Sequence, residues 1–165
     1  MIISKTHKDL KDVLMEPKGG AKEAYYLIKE DDQNITILSP GKAGMEFNKT
    51  HGYFHQLKQV ELLVCLYGQG LLVMQRNDET GEAKEFKIVT LHPGKQVAIP
   101  IGFGHTIINI GRTFLVTLDN GEDKSVDNKE LKEKHGFAYY VVEKKGEVGF
   151  ETNPFYKVHP QITSE

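Results

Sequence analysis

A chain of 165 residues, 39% of them hydrophobic, carries enough apolar side chain for one buried core. Its formal net charge of −2, from 21 basic and 23 acidic residues, leaves no basic excess for a nucleic-acid partner. The apolar runs, such as Glu61–Tyr67, are too short to cross a bilayer, Met1–Lys5 has no signal-type apolar region, and a single cysteine allows no internal disulfide, so the expectation is a cytoplasmic chain with no membrane partner.

Thr6 to Glu16 reads as a helix, with Leu10, Val13 and Leu14 on one face and Pro17 ending the pattern. After Lys18-Gly19-Gly20 the chain turns β. Glu23–Lys29 and Ile35–Leu38 are strands, the second stopped by Pro40-Gly41. Met45–His55 alternates loosely. Val60–Tyr67 and Leu71–Gln75 form a hairpin across Gly68-Gln69-Gly70, and Glu85–Leu91 ends at Pro93-Gly94. Gln96–Ile99, Thr106–Ile110 and Thr113–Asp119 follow. Asn120–His135 is polar, with Leu131 its only large aliphatic residue, and reads as a loop or short surface helix. Phe137–Val142 is a strand to which Val148–Glu151 pairs back, and the tail from Asn153 lies against the surface. Short strands separated by Gly, Pro, Asn and Asp turns argue for an all-β sandwich or barrel. Nothing in the sequence marks a repeat or linker, so residues 1–165 form one domain, with extensions at 1–22 and 120–165 around a core of 23–119.

One stretch carries chemistry. Gly94, Pro100, Gly102, His105 and Asn109 read G-x5-P-x-G-x2-H-x3-N. Pro100 belongs at a strand end because it cannot donate to a ladder, and the glycines permit the reversal that presents His105. Upstream, Tyr53-Phe54-His55 precedes Glu61, which is followed six residues later by Gly68. In a regular strand His51, Tyr53 and His55 share a face, as do Glu61, Leu63 and Cys65. Closing a barrel brings His55, Glu61 and His105 together, and two imidazoles with a carboxylate suit a divalent first-row metal: Mn, Fe, Ni or Zn. Without a metal, His55 and Glu61 would be a buried hydrogen-bonded pair. Tyr53 is open to three readings: a fourth ligand, a hydrogen-bond donor, or a simple replacement. His51 lies one pleat from the ligand set, and His92 and His159, beside prolines, read as surface residues. Cys65, in an apolar run, reads as a small buried hydrophobe.

These two motifs resemble the paired motifs of the cupin family, which implies a double-stranded β-helix, or jelly roll, with a short N-terminal helix and a few peripheral helical turns. The run from Thr36 to His55, Thr-Ile-Leu-Ser-Pro-Gly-Lys-Ala-Gly-Met-Glu-Phe-Asn-Lys-Thr-His-Gly-Tyr-Phe-His, is similar to the cupin-type glucose-6-phosphate isomerases of archaea. The similarity continues through Gly68-Gln69-Gly70 and the His105 motif to Gly136-Phe137, Glu143–Gly146 and Asn153-Pro154.

The resemblance implies aldose–ketose isomerisation of a hexose 6-phosphate with one bound divalent metal, in a homodimer. It places the sugar phosphate on Thr36, Thr50 and Gly52. It makes Glu61 both a metal ligand and the base that moves a proton between C1 and C2 through a cis-enediol(ate), with a hydride shift as the alternative. Taken singly, Thr36 and Thr50 could also be ordinary β-branched strand residues. The chain departs from the family where the chemistry is expected. Tyr53 replaces the first metal histidine, the His55–Glu61 loop is one residue shorter, Leu63 stands where the family has a tyrosine, and Gly121-Glu122-Asp123-Lys124 stands where it has Gly-His-Asp-Tyr. Two other readings therefore accompany the isomerase: a non-catalytic sugar-phosphate-binding cupin, and another metal cupin such as an epimerase or oxygenase.

Overall fold

The computed structural model describes residues 1–20, 22–54, 59–121 and 129–165. The strands are β1 Ile2–Thr6, β2 Glu23–Lys29, β3 Asn34–Leu38, β4 Lys42–Ala43, β5 Glu46–Phe47, β6 Tyr53–Phe54, β7 Glu61–Tyr67 and β8 Gly70–Asn77. They continue as β9 Ala83–Leu91, β10 Gln96–Ile99, β11 Gly104–Asn109, β12 Leu115–Asp119, β13 Tyr139–Lys144, β14 Glu147–Thr152 and β15 Ile162–Ser164. Among the described residues they form a six-stranded sheet β1-β2-β3-β12-β7-β10, a five-stranded sheet β15-β9-β8-β11-β6 and a four-stranded sheet β14-β13-β5-β4. The antiparallel pairs β12–β3, β12–β7, β7–β10, β8–β11 and β11–β6 build the two facing walls of a jelly roll. Leu38, Leu63, Leu72, Met74, Ile99 and Leu115, all at most 2% exposed, fill the space around them.

Burial alternates along the strands as the pattern of the sequence requires. In β7, Glu61, Leu63 and Cys65 are buried while Leu62 and Leu66 are exposed. The hairpin expected across Gly68-Gln69-Gly70 does not form: β7 pairs with β12 and β10 and β8 with β9 and β11, so this turn carries the chain from one wall to the other. Two terminal segments also differ from expectation. The helix expected over Thr6–Glu16 is a single 3-10 turn, His7–Leu10, preceded by β1. Thr6 and Asp9 close a capping box at its start. Leu10, Val13 and Leu14 are buried as the helical spacing suggests, but successive turns bury them equally well, and Ile2 and Ile3 gain a ladder with Ile28 and Leu27. The tail does more than lie on the surface: β15 adds to β9 in parallel. The Asn120–His135 stretch contributes the short helix α1, Lys129–Glu133, anchored by fully buried Leu131.

Buried amides hold the connections. Asn109 Nδ2 donates to the carbonyls of Leu38 and Thr113, and its Oδ1 accepts from Gly111 N. Asn153 Nδ2 serves the carbonyls of Lys134, His135 and Phe137. Both asparagines are 0% exposed, so each satisfies backbone groups that water cannot reach.

Candidate functional site

The concave face of the six-stranded sheet carries its side chains in cross-strand rows. Lys29, Asn34 and Asp119 are opposite one another on β2, β3 and β12. The next row runs Ile3, Leu27, Thr36, Thr117 and Cys65, and the next Lys5, Tyr25, Leu38 and Leu115. Across from this face, β11 brings His105, and β6 places Tyr53 directly opposite it in register. Between the two walls lies a cavity of ≈ 420 Å³, within the usual range for a small-molecule site. Thr36, Thr50, Gly52, Tyr53 and His105 all line it.

At one end of the cavity Tyr53, His105 and Asp119 line the wall, and Glu61, which is not itself a lining residue, is buried against His105 and Asp119. His105 Nε2 is 3.7 Å from Glu61 Oε1, and both residues are at most 4% exposed. The Tyr53 ring meets His105 edge-on with centroids 4.8 Å apart. Asp119 Oδ1 accepts from Asn34 Nδ2 at 3.0 Å and from Gly121 N at 2.9 Å, and its carboxyl is hydrogen-bonded to Glu61. Gly121 leaves room for this pair: a Cβ would come 3.0 Å from Asp119 Oδ1 and 3.1 Å from Glu61 Oε1, so the carboxyl groups would have to give by a few tenths of an ångström. Burial, reinforced by the Asp119 charge and hydrogen bond, pushes the Glu61 carboxyl up to about 9. Burial likewise pushes the Tyr53 phenol upward, and Glu61 and Asp119 add to the effect, so Tyr53 is a neutral phenol at physiological pH.

Glu61 and His105 fit a share of a divalent-metal site. Two N/O ligands on a tetrahedral ion are roughly 3.4 Å apart, a few tenths of an ångström from the observed 3.7 Å. The third expected ligand, His55, lies outside the described residues. Among the described residues no group of three His, Cys, Asp or Glu side chains is arranged to hold an ion.

The expected phosphate residues lie farther along the cavity. Thr36 is 5% exposed on the sheet floor. Gly52 has φ +80°, and a Cβ there would come within 3.0 Å of His105 O and of the Phe137 ring. That positive φ falls just before β6, so the strand expected over His51–His55 begins only at Tyr53; His51 and Tyr53 both line the cavity, as a shared face requires, and His55 lies outside the described residues. The Thr50 hydroxyl accepts from Ile107 N at 3.0 Å. Its proton points to Thr106 Oγ1, 3.0 Å away, because Thr106 donates to Thr50 O. Thr50 must rotate before it can donate to a ligand. His92 is exposed, as expected of a surface residue, whereas His159 is half-buried with Nε2 2.7 Å from Asn153 O. Cys65 is fully buried. Glu122, Asp123 and Lys124 lie outside the described residues.

Sequence reasoning missed Asp119, Asn34, Tyr25 and three lysines, Lys5, Lys29 and Lys132, which also line the cavity. The signal that could have found Asp119 is its place on the inward parity of β12 with Leu115 and Thr117, where an acid has no packing role.

A jelly roll with buried titratable groups converging on one interior cavity defines a cupin with a small-molecule site. Comparison with known proteins narrows this. The model of the glucose-6-phosphate isomerase (GPI) family matches residues 8–157. Glucose-6-phosphate isomerase of Pyrococcus furiosus is 37% identical over 133 residues, covering 78% of this chain and 67% of that protein. Its counterpart from Thermococcus litoralis is 34% identical over 134 residues, covering 79% and 67%. Among solved structures, the cupin domain of Drosophila melanogaster CENP-C superposes with a TM-score of 0.44 at 16% identity, covering 58% of this chain and 64% of that one. The chain belongs to the glucose-6-phosphate isomerase family.

Proposed function

We propose that this chain is a metal-dependent isomerase that interconverts glucose 6-phosphate and fructose 6-phosphate. The observation that carries the reading is the contact of buried Glu61 with His105, which lines a cavity whose walls also present Thr36, Thr50 and Gly52. Glu61, His105 and His55 would hold the ion, with Tyr53 beside them. A divalent cation there supplies Lewis acidity toward the adjacent sugar oxygens. Glu61 moves the proton between C1 and C2. Burial and Asp119 raise its carboxyl to about 9, and a cation bound beside it would lower that value and free it to act as a base near neutrality. Thr36, Gly52 N–H and a rotated Thr50 hydroxyl hold the phosphate, and the buried walls exclude water from the reacting carbons.

The test is a coupled assay of fructose 6-phosphate conversion on metal-stripped protein, with Mn, Fe, Ni or Zn returned singly, for the native chain and Glu61→Gln. Metal-restored activity that Glu61→Gln lacks is the expected result; silence with every metal overturns it. Tyr53, in place of the first metal histidine, favours a second reading: a sugar-phosphate-binding protein without turnover. Calorimetric binding of glucose 6-phosphate with no conversion would establish that alternative. A homodimer in the cytoplasm completes the proposal. Leu62, Leu66 and Tyr67, exposed on β7, support self-association, and no helix among the described residues is long and apolar enough to cross a membrane.

A further inference from the structure

The cavity holds lysines where a half-buried sheet should hold none. In an antiparallel sheet with one face packed, lysine belongs on the solvent side. Lys5 and Lys29 are on the concave side instead: Lys5 is paired with Tyr25, and Lys29 shares its parity with Leu27, which pairs with Ile3. Lys132 of α1 reaches the same cavity from the other side. Three cations thus come from three separate elements to one space.

We propose that Lys5, Lys29 and Lys132 form a cationic mouth that admits a phosphate ester dianion and discriminates against the unphosphorylated sugar. This inference rests on the sugar-phosphate reading above and adds the residues that set charge specificity. Two carboxylates also line the cavity, Asp9 and Asp119, and leave the three lysines in excess. Asp9 accepts from Thr6 N at 2.8 Å and from Thr6 Oγ1 at 3.0 Å in the capping box, and Asp119 accepts from Asn34 and Gly121. The lysines are close enough to act on their surroundings. Burial lowers the Lys29 pKa and Lys5 lowers it further, while the nearby Asp119 opposes the shift. Burial also lowers the His51 pKa, its Gly52 contact opposes this, and Lys132, Lys49 and Lys5 lower it further. The His51 main chain borders the cavity between Thr50 and Gly52, with His51 N donating to Tyr25 Oη at 3.3 Å. A dianion at that point relieves lysine–lysine repulsion and is drawn toward a cleft whose lining lysines outnumber its carboxylates three to two. Lysine acts here as a point charge and leaves orientation to the hydroxyl and amide donors.

The experiment measures glucose 6-phosphate and glucose binding by calorimetry, and KM and kcat where turnover exists. The variants are Lys5→Gln, Lys29→Gln, Lys132→Gln, the Lys5→Gln/Lys132→Gln pair, and Lys84→Gln as an exposed control on β9. Each single substitution should weaken glucose 6-phosphate binding roughly 5- to 10-fold and the pair more, with KM rising and kcat little changed. The native affinity should fall steeply with salt, glucose should bind at least a hundredfold more weakly, and Lys84→Gln should match the native chain. Lys29→Arg, which keeps the charge, should restore most of the binding and also reports on folding. Native-like affinity in all three single variants and the pair overturns the proposal even if isomerase activity is intact. Lysine-dependent binding without turnover sustains it and removes only the isomerase reading.

Discussion

Lys49 is a charge that the fold cannot release without loss. It is 6% exposed, and its Nζ is 2.7 Å from Oε2 of Glu46, itself 1% exposed, in a contact not angled as a hydrogen bond. The same ammonium donates to Val13 O at 2.6 Å and lies 5.2 Å from the centre of the Tyr140 ring. Glu46 Oε1 accepts from Met15 N at 2.8 Å. Together they fasten residues 13–15 to the barrel, and through them the strap of β1 and the 3-10 turn that carries Lys5, Asp9 and Leu10 to the cavity. Lys49→Met keeps most of the volume and removes the charge. Glu46 is then left buried without its counter-ion, a change that costs roughly 3–5 kcal/mol. At about 2–4 °C per kcal/mol for a chain of this size, the melting temperature should fall on the order of 6–20 °C. Glu46→Gln keeps an acceptor for Met15 N but leaves the ammonium unpaired, so it should also destabilise strongly. The double variant buries no charge and should recover a large part of the loss. Urea unfolding of the four proteins closes the double-mutant cycle. A Lys49→Met variant within about 1 kcal/mol of the native chain would refute the account, because it would mean that the Glu46 carboxylate is not held in a dry environment.

Gly52→Ala meets both a left-handed φ of +80° and contacts at 3.0 Å with His105 O and Phe137. The backbone strain alone is worth about 1–2 kcal/mol, and because His105 must shift, turnover should fall further than stability; unchanged kcat would show that His105 tolerates the move. Glu61 makes the metal-free protein pH-sensitive. Its carboxyl titrates at about 9 when folded against a model value of 4.5, so the folded state holds the extra proton between those limits. The stability it contributes is fully present below about pH 4.5 and is lost as pH rises through 9. Metal-stripped native protein should therefore lose melting temperature from pH 5 to 9 relative to Glu61→Gln, and Asp119→Asn should move the transition to lower pH; parallel curves would contradict the assignment. Tyr53→His, opposite His105 on the neighbouring strand, should tighten Mn or Zn binding by roughly 10–100-fold in calorimetry, and equal affinity would place residue 53 away from the ion. Sedimentation velocity should show a dimer that Leu62→Lys dissociates; a native monomer at micromolar concentration would exclude it.

Much of the fold was legible because strand burial is a local property. The alternation in Glu61–Tyr67 and the Gly-Pro punctuation around Gln96–Ile99 need no knowledge of partners. The misread elements are those in which a partner decides. Ile2–Thr6 is a strand because Leu27 and Ile28 offer a ladder, and Ile162–Ser164 because β9 has a free edge, and neither neighbour is visible at a distance of dozens of residues. The site divides the same way. His105 and Glu61 stand out by motif spacing. Asp119, Lys5 and Lys29 acquire meaning only once register puts them on the concave face. The Thr50 hydroxyl, engaged by Ile107 and Thr106 more than fifty residues away, could not be read from its own strand.

Within the motif that carries the family resemblance, most positions serve the backbone and one serves the site. Within the cupin spacing, Asn109 serves backbone groups, and Gly94 and Gly102 take positive φ in turns, so these positions persist in any chain that must make the same reversals. Only His105 among the five reaches the cavity. Asn48 and Asn153 likewise spend their amides on backbone carbonyls, which makes the Pro-Gly-Lys run and the Asn-Pro pair constraints on folding. The differences from the family sit where no backbone group depends on the side chain. Tyr53, where the resemblance calls for an imidazole, puts a neutral phenol opposite His105; Asp119, a feature of this site rather than a known difference, sets a carboxyl beside Glu61. The first removes a strong nitrogen donor, and the second raises the affinity of the same point for a cation by adding negative charge. At the proposed ion site the two act with opposite signs, on how tightly a cation would be held rather than on the architecture that positions it.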